Sequence, residues 1–265
     1  MRFGVNSLAN LDFIDVPYLE ELQSYLPIRA IDKEDVDAYL KSVTDSVVLN
    51  YGGEQYQFAY FGLHLLYMTY VYFSVKKTST IIPERYKDAM ILARPYHGEK
   101  VDFDNINSAF VYSLMPEKEL PKVLKIIGFG DDKISEIGGL VSKRDDMAHA
   151  TGSLAIKNEQ GFFSEAGRLC ASARNIHRCM DGQIRNWFKD FLLRYCNNEF
   201  EEYDEVSDII TEQMIEGFNL SSQELSVCNA MSLKSLIQEH PEFNQKLLEF
   251  KSTLKKYCDG FFDFM

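Results

Sequence analysis

Residues 164–196 read SEAGRLCASARNIHRCMDGQIRNWFKDFLLRYC, and the reading of this run decides the fold class. At about 100° per residue, Leu169, Ala173, Ile176, Met180, Ile184, Trp187 and Phe191 gather on one side of a helix. Arg174, Arg178, Arg185 and Lys189 fall within about 60° of one another on the opposite side. One face is therefore core, which other elements must cover. The other is a basic stripe, with His177 on its flank. Such a stripe reads either as a solvated helix face or as a surface that holds phosphates.

The flanking sequence continues in the same helical idiom. Asp32 precedes KEDVDAYLKSV (33–43) as an N-cap would, and Pro83 and Pro95 bracket PERYKDAMILAR (83–94). PEKELPKVLKIIGFG (116–130) begins acidic, ends with lysines and stops at Gly128, as the helix dipole and a glycine C-cap favour. DDKISEIGGLVSKRDDMAHA (131–150) reads as a helix that Gly138 and Gly139 weaken in the middle. SSQE (221–224) has the form of a capping box, and Pro241 opens the last helix. Only SVVLNYGG (46–53) reads as a short strand. The expected fold is an all-α helical bundle.

Composition sets outer bounds. The chain has 265 residues, 46% hydrophobic and 26% charged, which suits a globular protein with a sizeable core. A formal charge of −12 argues against sequence-blind coating of nucleic acid and leaves room for a local basic site. The five cysteines are odd in number and form no CxxC pair, so buried reduced thiols in a cytoplasmic protein are expected. The N-terminal MRFGVNSLANLDF lacks the apolar core of a secretory signal. FAYFGLHLLYMTYVYFSV (58–75) is borderline in length for a bilayer span, but His64, Thr69 and four tyrosines fit the buried helix of a bundle better, so no membrane partner is expected. EFEEYDEVSDIITEQMIEG (199–217) carries eight acids and neither Lys nor Arg, marking a compositional boundary. The organisation read from these signals is an N-terminal helical extension (1–54), a central bundle (55–200) and a C-terminal helical appendage (201–265).

The chemistry concentrates in VSKRDDMAHATG (141–152). Histidine suits general acid or base work near neutral pH, and arginine offers a permanently charged fork of donors to a phosphate. Cleaving RNA needs both and can proceed without a metal. The ribose 2′-hydroxyl attacks the adjacent phosphate while a base, an acid and a cation manage protons and charge. On a continuous helix, five residues set Arg144 and His149 about 140° apart, so both serve one phosphate only if the helix breaks or a second subunit completes the site. The alternative is structural: His149 packed at a helix end, Arg144 paired with Asp145, Asp146 or Glu136.

With Arg144 followed by the polar Asp145, then His149 within MAH and small residues up to Gly152, the segment resembles the signature of the HEPN superfamily. The resemblance extends over about residues 55–196 in helix order. It implies an all-α HEPN-like core, a homodimer with the motifs of both chains at the interface, and a metal-independent RNA endonuclease of toxin or host-defence type. Arg144, His149 and Asp145 would be its catalytic residues; Arg174, Arg178, Arg185, Lys189 and His177 would contact RNA. No tyrosine lies two positions after His149, so the tyrosine-modifying variant of the family is not expected. RNA, a second copy and an antitoxin or regulatory protein are the expected partners. No P-loop, HExxH or GxSxG motif occurs, and no cofactor or metal is expected. The competing reading is a non-catalytic HEPN-like dimeric interaction or nucleotide-sensing module. A third is an unrelated helical scaffold with a fortuitous Arg-x4-His.

Overall fold

The computed structural model describes residues 14–29, 34–91, 95–96, 101–103, 105–149 and 154–262. The helices are α1 (Leu19–Gln23), α2 (Glu34–Gly52), α3 (Tyr56–Ile81), α4 (Pro83–Met90), α5 (Asp131–Ala148), α6 (Glu159–Cys196), α7 (Val206–Asp208), α8 (Ser222–Ala230), α9 (Lys234–Glu239) and α10 (Asn244–Phe262). Segments Ala109–Leu114, Leu120–Ile127 and Pro241–Phe243 wind as 3₁₀ turns, and Ile209–Glu216 as a π-helix. Among the described residues the only β-type pairing is the isolated bridge between Pro27 and Ser221. The protein is all-α.

α3 is the axis of the bundle because it is apolar on all sides, and such a helix must be surrounded. It is long and apolar enough to cross a membrane, but most of it lies buried against its neighbours. Several of its polar groups find partners there. Tyr67 Oη lies 2.7 Å from Ser172 Oγ on α6, and Tyr70 Oη donates to the Ala173 carbonyl at 3.4 Å. Thr69 and Ser74 donate to the carbonyls of Leu65 and Tyr70, one turn back. The sequence reading of 58–75 as a core helix accords with these contacts.

α6 presents the expected face: Leu169, Ala173, Ile176, Met180, Ile184 and Phe191 are buried, with Trp187 half-buried and stacked on Phe218. It begins five residues earlier than the quoted run because the Asn158 side chain accepts from the Gly161 amide at 2.9 Å. Two other local signals also hold. Gly128 terminates the 3₁₀ segment at φ 86°, and Ser221 and Glu224 form a reciprocal capping box on α8. The Asp32 cap lies outside the described residues.

One expectation is overturned. SVVLNYGG is not a strand but the end of α2, whose Val47 is fully buried against α3. The approach is close: a Cβ on Gly62 of α3 would sit 2.6 Å from Val47 Cγ2. Packing at this contact outweighs the β-preference of two adjacent valines. A single core runs from Val16 to Cys258 and includes residues on both sides of positions 54 and 200. In it, Phe250 of α10 meets Phe188, Phe191 and Tyr195 of α6.

Candidate functional site

α5 carries Ile134, Ile137, Leu140 and Val141 on its buried side. Arg144 follows Leu140 by four positions and Val141 by three, so the helix turns it inward with them. Its side chain is only 18% exposed. There Nη2 donates to Glu117 Oε2 at 2.5 Å and lies 3.1 Å from Asp145 Oδ1. Asp145, half-buried, also lies 3.5 Å from Lys118 Nζ. Glu117 faces a third element: His64 of α3 is fully buried with Nε2 3.8 Å from Glu117 Oε2, beyond hydrogen-bond reach. Among the described residues neither imidazole nitrogen of His64 nor Nε of Arg144 has a hydrogen-bond partner. Burial pushes the His64 pKa below its ordinary value; Glu117 partly opposes this and Arg144 adds to it.

His149 has a different setting. α5 ends at Ala148, and His149 takes extended backbone angles, φ −87° and ψ 145°, as the first residue beyond the helix. It is exposed. Next to it, Met147 and Ala148 share a cavity of about 280 Å³ with Gln57, Phe58 and Phe61. Phe58 is 56% exposed, and Leu154, the residue before Ala155, is 52% exposed. Gln57 Oε1 accepts from the Ala155 amide at 2.7 Å, tying the returning chain to the start of α3. Arg144 and His149 thus occupy separate environments, one inside the bundle and one at its surface.

The stripe on α6 faces outward, as its periodicity requires, but carboxylates occupy most of it. Arg174 donates to both oxygens of Glu21 at 2.6 and 3.2 Å, and Arg185 to both oxygens of Asp181 at 2.8 and 3.3 Å. Lys189 donates to Glu239 at 2.9 Å. Arg178 donates to the neutral amide oxygen of Asn175 at 3.3 Å. His177 turns toward the core, its ring 5.6 Å from that of Tyr25, and burial lowers its pKa. α5 meets α6 through Lys143 and Glu165, 2.6 Å apart. At about 1.5 Å rise per residue, Arg174 lies roughly 14 Å and Lys189 roughly 36 Å along α6 from that contact. Within one chain the stripe therefore runs away from the junction of the two helices.

The sequence reading missed Glu117 and His64. Glu117 looked like an acid opening a helix, and His64 had no supporting pattern; only the packing of α3, α5 and the 116–119 turn brings them to Arg144. A second cavity, of about 480 Å³, borders Glu117, with Tyr39, Met68, Thr69, Tyr72 and Phe110 among its walls. Among the described residues no three His, Cys, Asp or Glu side chains converge as metal ligands. The chain matches no family model, no curated protein and no solved structure.

Proposed function

We propose that the protein is a metal-independent RNA endonuclease of the HEPN type, with a site completed by two copies of the chain. The observation that carries this reading is the end of α5 at Ala148, which frees His149 from the helix and exposes it next to residues that share a cavity with Phe58. An exposed histidine is free to exchange protons with a substrate. Exposed apolar side chains such as Phe58 and Leu154 are what a second copy would cover. In such a dimer His149 of one copy works with Arg144 of the other. Arg144 exchanges Glu117 for the phosphate, while Asp145 keeps the guanidinium in place. The stripe on α6 holds the RNA backbone, with Arg178 meeting phosphate most readily because its present partner is uncharged.

The purified protein, incubated with total RNA in excess EDTA, is expected to cut it and leave 2′,3′-cyclic phosphate or 3′-phosphate ends. Complete loss of cutting on chelation, or efficient cutting of DNA, would contradict the reading. A second reading, a non-catalytic dimeric interaction or nucleotide-sensing module, draws support from the Arg144–Glu117 pair and the carboxylates along the stripe. An RNA-inert dimer would favour it.

A further inference from the structure

The 480 Å³ cavity beside Glu117 falls within the range of small-molecule sites, roughly 300–1,000 Å³. Three aromatic rings line it. Tyr39 lies 5.4 Å from Phe110 at 80°, and Tyr72 lies 6.4 Å from Phe110, also at 80°. Aromatic rings set near right angles present both faces and edges, and the faces carry the negative end of the ring quadrupole. Glu117 adds a carboxylate whose side chain is only 16% exposed. Its charge reaches two of the walls, raising the phenol pKa of both Tyr39 and Tyr72 on top of the larger effect of burial, with Arg144 opposing it at Tyr72. An aromatic enclosure with one carboxylate attracts positive charge and disfavours anions. The cavity is larger than a single alkylammonium side chain needs, so a whole small molecule fits it better than one residue of a partner protein.

We propose that this cavity binds a small organic cation, its ammonium set among Tyr39, Tyr72 and Phe110 and against the Glu117 carboxylate. The ligand then competes with Arg144, which holds the same carboxylate at 2.5 Å. The two halves of one ion pair should therefore act in opposite directions. Removing Glu117's charge weakens the ligand, whereas removing Arg144 releases the carboxylate and strengthens it.

The probe is choline, titrated by calorimetry at pH 8 so that His64 stays neutral, with thermal melts confirming that each variant folds. Its uncharged carbon analogue, a tert-butyl group replacing the trimethylammonium, is the control. Choline is expected to bind saturably to the parent, and about tenfold more weakly to Glu117→Gln and to Tyr39→Leu. The carbon analogue should bind the parent about tenfold more weakly than choline. Arg144→Ala should bind choline several-fold more tightly. Tyr39 is 36% exposed, so its variant serves even if Glu117→Gln fails to fold. Equal affinity for the two probes, or no saturation by choline at tens of millimolar, overturns the site. Unchanged affinity in Arg144→Ala overturns the shared carboxylate. These measurements read binding alone, so their outcome is independent of whether the protein cuts RNA.

Discussion

Arg144 and His149 stand five positions apart, yet the end of α5 separates their surroundings completely. The residue that governs Arg144 is Glu117, which also confronts the buried His64. His64 gives this cluster a pH signature. Its pKa in the folded protein lies below the ordinary 6.5, chiefly because burial disfavours the imidazolium. Below pH 6.5 the unfolded chain takes up a proton that the folded chain refuses, so protons favour unfolding. The contribution of His64 to stability is complete above 6.5, declines as pH falls, and is gone below the depressed folded value. The slope for one such group is at most about 1.4 kcal/mol per pH unit. His177 shifts in the same direction, so the parent's profile alone does not isolate His64. Urea unfolding of the parent and His64→Leu from pH 8 to 5 should show a shallower loss in the variant. Superimposable pH profiles would remove His64 from the account.

At the scale of elements, α3 and α8 are joined by a buried ion pair between Lys77 and Glu224, each side chain 4% exposed. Glu224 also accepts from the Ser221 amide at 2.9 Å, so the same carboxylate caps α8 and neutralises α3. Burial lowers the Lys77 pKa, and Glu224 opposes that. Glu224→Ala strands a buried ammonium and should cost about 3–5 kcal/mol in denaturant unfolding, whereas Lys77→Met combined with Glu224→Gln should cost clearly less. Strict additivity of the two sites would count against the pairing. The α6 stripe gives a second element-scale test. Arg178→Glu should weaken RNA binding more than Arg185→Glu, because Asp181 already occupies Arg185. It should also flatten the salt dependence by roughly one unit of slope. Unchanged affinity at two salt concentrations would take Arg178 out of the proposed RNA surface. What the sequence made legible at this scale was local. The face of α6, the box at Ser221 and the stop at Gly128 depend on residues within a few positions of one another. The helicity of 46–53 was hidden because it depends on Val47 meeting Gly62. The stripe's partners were hidden because Glu21 lies 153 positions from Arg174 and Glu239 50 from Lys189. The cluster around Arg144 joins three separated segments, and no spacing rule reaches across them.

At the scale of the molecule, one core runs through the described residues from Val16 on the N-terminal side to Cys258 of α10. Arg144 faces inward and His149 outward, and the proposed two-fold dimer would let one chain supply what the other lacks. That claim has a direct measurement. Arg144→Ala and His149→Ala chains, coexpressed with different tags and purified through both, yield heterodimers with one composite site destroyed twice and the other intact. Each variant alone should fail to cut RNA, and the heterodimer should recover about half of the parent's activity. A heterodimer as inactive as either single variant, beside an active parent, would show that the site is not shared between chains.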